Sequence, residues 1–274
     1  RLDKLSTLLR HYLAERSMTA AEAASLYGKL RHATSALYGK CVRHSMAVFK
    51  RRQYQQEPDA SWSLELQYAC TWFLKALYII PPAECLLRAP TGHQIRVFTD
   101  ASAEHSSPTD SFLSPRTEVK LGWVTWENGT PVGGYTVRVP KIVIEWWAMN
   151  QPIAPAETLA VAVMTHVVDN LDGADLVVFI DNVVALSALV KGSSRSELCD
   201  SLAGSIHLLL AKRACRAWFE WVPSELNPGD QPSRDGTSRW MDIREIDLPQ
   251  VFYPGSAERV SYFHILQNNV GQFG

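Results

Sequence analysis

The 274-residue sequence predicts an α/β fold: a mixed sheet with helices on its faces, preceded by a small helical domain. Three observations predict it. Over the first ninety residues apolar side chains recur at helical spacing, and from residue 94 short β-rich runs alternate with helical ones. Composition is globular, 46% hydrophobic and 20% charged, which excludes a disordered tail, a collagen-like repeat or a low-complexity array. The length fits one large domain or two modest ones.

Leu2, Leu5, Leu8, Leu9, Tyr12 and Leu13 mark the first helix. Thr19 with Glu22 three residues later is a capping-box signature for a second, whose apolar stripe continues through Leu26, Leu30, Leu37, Val42 and Met46. Gly28 and Gly39 interrupt that stripe, which points to a close helix contact or a break. A third helix runs from about Ser63 to Tyr78 and stops at Pro81-Pro82. Gln94–Thr99 reads as a strand ending in Asp100-Ala101-Ser102, and the polar stretch from Glu104 to Lys120 as a long loop. Leu121–Trp126 and Tyr135–Val139 are strands joined around Asn128-Gly129. Residues 141–154 are ambiguous between strand and packing segment. Pro155 opens a helix containing Glu157 and reaching about Leu171. Leu176–Ile180 is a short apolar strand, followed by helices near Ala185–Val190 and Ser196–Arg213. Trp218–Val222 is the last strand, and Asn227–Arg234 begins a turn or helix. The order β-β-β-α-β-α-α-β-α implies a mixed sheet. The domains expected are residues 1–90, residues 91–245, and an unassigned tail or linker over 246–274.

Net charge is −1 but unevenly spread. Residues 1–60 carry 11 Lys and Arg against 5 acids, while the remainder carries 16 against 23. A basic helical head suits nucleic acid, or a merely solvated helix face. Cys41, Cys70, Cys85, Cys199 and Cys215 form no C-x-x-C pair, which argues against a disulfide framework and a structural zinc site. No apolar stretch of about 18 residues suggests a membrane span, and the charged start Arg1-Leu2-Asp3-Lys4-Leu5 is no signal peptide. The expected setting is intracellular, cytoplasmic or nuclear and not secreted. The start without Met suggests a piece of something longer.

The chemical signal is four acids at element ends. Asp100 closes a strand, Glu157 lies in the first turn of a helix, Asp181 closes an apolar strand, and Asp230 follows the final strand across a turn. Each alone has an ordinary reading: a turn residue, a favourable first-turn charge, a helix cap, a loop acid. Together, acids at the ends of buried strands are costly unless paired or metal-bound. A cluster of carboxylates without His or Cys favours Mg²⁺ or Mn²⁺ over zinc. Two such ions about 4 Å apart can clamp the attacking water and leaving oxygen of a phosphodiester.

The succession Thr99-Asp100-Ala101-Ser102, Ala156-Glu157-Thr158-Leu159-Ala160, Ile180-Asp181-Asn182 and Val222-Pro223 through Asn227-Pro228-Gly229-Asp230-Gln231-Pro232-Ser233-Arg234 resembles a retroelement ribonuclease H domain. The closing pattern V-P-x-x-x-N-x-x-D-x-x-S-R looks like the gypsy-type and DIRS-like branches. The resemblance spans about residues 92–240. It implies a five-stranded ribonuclease H-like sheet and a two-metal site with Asp100, Glu157, Asp181 and Asp230 as ligands. Asp100 and Asp181 would anchor the ions, Glu157 would orient the water, and Asp230 would complete the second site. It also implies hydrolysis of the RNA strand of an RNA/DNA hybrid, with Ser102, Asn182, Asn227 and Arg234 as nucleic-acid contacts. Asp235 competes for the fourth place, but Asp230 keeps the N-x-x-D spacing. No His lies between His207 and His264, where many ribonucleases H carry a catalytic-loop His.

Met18–Leu30 and the Ser-Ala-Leu-Tyr-Gly-Lys of residues 35–40 look like the segment following the palm in DIRS-like and gypsy-like reverse transcriptases. This implies a thumb or connection region with Arg43, Lys50, Arg51 and Arg52 on phosphates. The remaining reverse transcriptase polyprotein domains would then be partners. No Y-x-D-D polymerase motif is present. The alternatives are a catalytically silent module that holds a duplex or scaffolds a complex, and a DNA-strand transferase or junction nuclease on the same fold. Among nine tryptophans, Trp123, Trp126, Trp218 and Trp221 read as core, whereas Trp146-Trp147 suggests a surface.

Overall fold

The computed structural model describes residues 2–35, 40–55, 62–80, 92–104, 117–147 and 153–253. Two compact units divide the chain, Arg1–Cys85 and Leu86–Gly274.

The first unit contains α1 (Leu2–Glu15), α2 (Ala20–Thr34), α3 (Arg43–Tyr54) and α4 (Leu64–Ile79). Thr19 and Glu22 form the expected reciprocal cap, with the Glu22 N–H donating to Thr19 Oγ1 at 3.2 Å and the Thr19 N–H to Glu22 Oε2 at 2.7 Å. Ser63 caps α4 by a single bond, its Oγ accepting from the Leu66 N–H. Leu9, Met18, Leu26, Leu30, Phe49, Trp72 and Phe73 are the buried centre. Four helices are therefore described where periodicity predicts three, because the stripe past Leu30 belongs partly to α2 and partly to α3. Gly28 lies inside α2 with nothing near the position of an added Cβ, so neither a close contact nor a break explains it. Gly39 and Pro81-Pro82 lie outside the described residues.

The second unit is built on β1 (Gln94–Glu104), β2 (Glu118–Glu127), β3 (Thr130–Arg138), α5 (Lys141–Trp147), α6 (Ile153–Val167), β4 (Asp175–Ile180), α7 (Val183–Lys191), α8 (Glu197–Lys212), β5 (Arg216–Trp221), α9 (Asp230–Arg234) and β6 (Ile243–Glu245). Sheet order is β5-β4-β1-β2-β3-β6. The first three strands form an antiparallel meander, turned between β2 and β3 by Asn128 and Gly129 at positive φ. β4 runs parallel to β1, and β5 parallel to β4. This is the expected α/β class with a mixed sheet and helices on its faces, with a difference. A sixth strand, β6, pairs parallel with β3. Its three residues are too few to show a period in sequence.

The chain also stays in the unit beyond the expected boundary at 245. Leu248 and Phe252 are buried in its core, and Phe252 meets His166 edge-on at 5.8 Å. The start of the tail expected over 246–274 is therefore part of the packed unit as far as residue 253, and residues 254–274 lie outside the described residues. The ambiguous stretch after Pro140 forms α5, although the Trp146 and Trp147 side chains are outside the described residues. β1 and β2 run further than their apolar runs suggested, so of the predicted 104–120 loop only 105–116 falls outside the described residues.

One face of the sheet carries Ile95, Val97, Ala101, Leu121, Trp123 and Val137 into a core closed by α6 and α8. On the other, Phe98 stacks on Phe179 at 4.4 Å and meets Trp126 edge-on at 5.2 Å. Of the four tryptophans expected in the core, Trp123 is fully buried and Trp126 half-buried, but Trp218 and Trp221 are 66% and 49% exposed. They sit on β5, an edge strand, which has a neighbour on one side only among the described residues. Among the described residues no helix is long and apolar enough to cross a membrane.

Candidate active site

Three of the four predicted acids meet. One carboxylate oxygen from each of Asp100, Glu157 and Asp181 lies within 4.8 Å of the others. Asp100 comes from the central strand, Asp181 from the end of its parallel neighbour β4, and Glu157 from α6. Glu157 is not in the first turn, since α6 begins at Ile153, and it is 2% exposed. A dipole role at a solvated helix start therefore does not account for it. Asp230 lines the same cavity, of about 450 Å³, together with Ser102, Glu104, Asn182, Ser224 and Arg234. Asp235 does not line it, and its carboxylate accepts from the Thr237 N–H and Oγ1 instead.

Burial and mutual repulsion dominate the electrostatics. Desolvation first, opposed by the Ser233 hydrogen bond and reinforced by Asp181 and Asp230, pushes Asp100 up to about 6. Glu157 is raised well above the usual carboxylate range, by burial and then by the charges of Asp100 and Asp181. Its Oε2 is buried with no hydrogen-bond partner among the described residues. Such a cluster is destabilising as it stands, and a hard cation with oxygen ligands supplies what the orphaned oxygen and crowded negative charge lack. The donor set fits a divalent ion of the Mg²⁺ class.

The segment carrying Asp230 is locked onto β1 and β2 by close backbone approach. Asn227 Nδ2 donates to the Thr99 carbonyl at 2.9 Å, and Asn227 Oδ1 accepts from the Gly229 N–H at 3.0 Å. A Cβ on Gly229 would lie 2.9 Å from the Phe98 carbonyl oxygen. Gly122 faces Asp100 across the β1–β2 ladder, and a Cβ there would lie 2.2 Å from the Ser233 nitrogen. With that room, α9 lies against the sheet. The Ser233 hydroxyl donates to Asp100 Oδ2, and Ser102 Oγ donates to the Ser233 carbonyl at 2.5 Å. Arg234 Nε donates to Asp230 Oδ1 at 2.7 Å across one turn. Ser224 Oγ donates to Asp181 Oδ2 at 2.6 Å.

The expected nucleic-acid contacts divide accordingly. Arg234 is exposed at the cavity rim. Asn182 also lines the cavity, but its Oδ1 caps α7 by accepting from the Val184 and Ala185 N–H groups, both at 3.0 Å. Ser102 and Asn227 are buried, with their polar atoms engaged inside the protein. In the helical unit, Arg43, Lys50 and Arg51 are exposed on α3, Arg51 being paired with Glu65 at 3.0 Å. Arg52 corrects the expectation: it is 2% exposed, and its Nε donates to the Met18 carbonyl at 2.9 Å, so it packs the helices together and meets no phosphate. Sequence reasoning missed Gly122, Ser224 and the role of Ser233. Ser233 was visible as the S of the closing motif, while Gly122 carries no signal beyond a glycine inside a strand pattern.

No family model matches the chain, and no curated protein matches it. Among solved structures the chain is similar to the ribonuclease H1 of the halophilic archaeon Halobacterium salinarum NRC-1, at 16% identity and a TM-score of 0.33, over 53% of this chain and 99% of that one.

Proposed function

We propose that the chain is a metal-dependent endonuclease that hydrolyses the RNA strand of RNA/DNA hybrids, as the thumb or connection region and ribonuclease H domain of a retroelement reverse transcriptase. The observation that carries the reading is the convergence of Asp100, Glu157 and Asp181 within 4.8 Å, two of them buried and one with an orphaned oxygen. A phosphodiesterase site needs such a concentration of hard oxygen donors, and a bound cation would give the buried Glu157 Oε2 a partner.

In this reading Asp100, Glu157, Asp181 and Asp230 hold two Mg²⁺ or Mn²⁺ ions, whose bound state would polarise the phosphate and lower the pKa of water. Ser233 and Ser224 fix the carboxylates of Asp100 and Asp181 by donating to one oxygen of each. Arg234, tied to Asp230 at the rim, offers the approaching phosphate a positive charge. Arg43, Lys50 and Arg51 of the helical unit add sequence-independent phosphate contacts. The other domains of the polyprotein and the hybrid itself are the partners. The hybrid's 2′-hydroxyls are the handle that separates its RNA strand from DNA.

Cleavage of a labelled RNA/DNA hybrid in Mg²⁺ or Mn²⁺, beside Asp181→Asn and a matched DNA duplex, tests the proposal. Metal-dependent cutting confined to the RNA strand and lost in the variant is the expected result. Binding of the hybrid without cleavage in either metal would overturn the enzymatic reading and favour a silent duplex-holding module.

A further inference from the structure

The segment after β5 fastens Asp181 from two sides. The Trp221 indole N–H donates to the Asp181 carbonyl at 3.2 Å, and Ser224 donates to its carboxylate. The first of these bonds sets the plane of the indole, yet the ring remains 49% exposed. Val183 and Val184, which open α7 immediately after Asn182, are more than half exposed, as is Leu226 two residues beyond Ser224. Asp181, Asn182 and Ser224 line the cavity; Trp221 is bonded to Asp181, and Val183, Val184 and Leu226 follow these lining residues in the chain within two positions. Large apolar side chains gathered in the open beside a site mark a contact surface.

The cluster itself gives a polyanion little attraction, because its carboxylates repel phosphate until a cation neutralises them. Beyond what Arg234 and a bound cation supply, binding energy at this rim can come from the uncharged parts of a nucleotide, its base face and the carbon edge of its sugar. Both are suited to an aromatic plane held in a fixed orientation. We propose that Trp221, flanked by Val183, Val184 and Leu226, is a stacking platform for the nucleotide adjoining the phosphate held at the acid cluster. The inference rests on the nuclease reading and adds to it the surface that seats the strand. Trp218 is a built-in control. It lies on the same strand with its side chain on the other face of the sheet, is exposed to a similar degree, and is also held by a hydrogen bond, to Glu220 Oε2 at 3.1 Å.

The test is the affinity of the full chain carrying Glu157→Gln for a fluorescein-labelled RNA/DNA hybrid in Mg²⁺, measured by anisotropy. Trp221→Ala is expected to weaken binding by about 5- to 150-fold, the range for loss of one base–aromatic stack, and Trp221→Phe by less than about threefold. Trp218→Ala should change nothing. Affinity unchanged in Trp221→Ala, or an equal loss in Trp218→Ala, overturns the platform. So does a Phe variant as weak as Ala, since the indole hydrogen bond and not the ring would then matter. Should Trp221→Ala melt at assay temperature, Leu226→Asp decides: a loss of about fivefold or more supports the platform and no loss overturns it. If the Glu157→Gln chain fails to bind hybrid at all, the nuclease reading falls and the platform with it. Tight binding indifferent to Trp221 removes the platform alone.

Discussion

The two units use charge in opposite ways. In the helical unit the basic residues of α3 stand in solvent, except for Arg52, which is turned inward to bond a carbonyl and pack the helices. Each exposed group there would be satisfied in water without any ligand. In the sheet unit Asp100 and Glu157 are 4% and 2% exposed, repel each other and Asp181, and leave an oxygen without a partner. Evolution rarely keeps so unfavourable a placement unless a ligand recovers the cost, which is why the second region supports a mechanism and the first only a surface. The contrast also predicts opposite responses to mutation.

The largest effect is expected at the acids. Glu157→Gln or Asp181→Asn should lower hybrid cleavage by roughly 10³-fold or more, as loss of one member of a group acting as a unit does. Without metal, each variant should melt no lower than the parent, because a repelling charge has been removed. Arg52→Ala should do the reverse, lowering Tm by several degrees while leaving cleavage of the folded fraction intact. Cleavage rates and melting curves on the same preparations check this. A Glu157→Gln chain that loses stability as well as activity would mean the cluster is structural, and the contrast would collapse.

Next in size is Gly122→Ala. The added Cβ would sit 2.2 Å from the Ser233 nitrogen, against backbone that has no rotamer to yield. Either α9 lifts or β2 shifts, and in both cases Ser233 leaves Asp100 and Asp230 moves. Overpacking of this kind costs about 1–3 kcal/mol, and a displacement of about 1 Å at a catalytic group costs on the order of 100-fold in rate. Activity should therefore fall about 100-fold, alongside a lower Tm. Parent-like activity would show that the seat of α9 on the sheet is not what positions Asp230.

That pair of residues also shows where the sequence is legible. The strands and helices of the second unit carry period-2 and period-3.6 patterns, so the α/β class, the mixed sheet and the gathering of the acids are legible, although only Asp181 follows the end of its strand while Asp100 lies inside β1 and Glu157 inside α6. β6 cannot, because it is three residues joined to β3 by backbone pairing alone. Gly122 looks like a weak strand residue until α9 is placed upon it, and the exposure of Trp221 depends on β5 being an edge, a property of strand order that no local pattern contains. Arg52 misleads for the same reason. Next to Arg51 it reads as a basic run, and only the packing of α3 shows that Lys50 and Arg51 face solvent while Arg52 faces the interior.

The pH dependence of stability separates the units further. Asp100 is raised in the folded state from 3.8 to about 6, so the folded protein holds a proton that the unfolded chain releases in that interval. Its contribution is fully present below about pH 4 and is lost as pH rises through about 6, at a cost of order 3 kcal/mol by the top of the window. Glu157, raised by the same causes, shifts stability in the same direction. The metal-free protein should melt at progressively lower temperature from about pH 4 to above about pH 6. Mg²⁺ or Mn²⁺ should raise Tm more at about pH 8 than at about pH 5, where protons compete for the same oxygens. An equal metal effect at both pH values would place the ion elsewhere.

The smallest effects belong to α3. Arg43, Lys50 and Arg51 are exposed, and a phosphate contact made by an exposed cation works mainly through counterion release, so its signature is in the salt dependence more than in affinity at one ionic strength. Replacing one of them, for instance Lys50→Gln, should weaken hybrid binding about two- to threefold and reduce the slope of log K against log salt by about 0.9. Arg51→Gln should do less, since its guanidinium already shares the Glu65 carboxylate at 3.0 Å and breaking that pair returns part of the loss. Arg52→Ala, measured on folded protein, should leave the slope untouched because a buried guanidinium releases no counterion. If the triple change at Arg43, Lys50 and Arg51 leaves the slope unaltered, the helical unit does not touch the duplex. The positive head would then be a solvated surface, and hybrid binding would rest on the sheet unit alone.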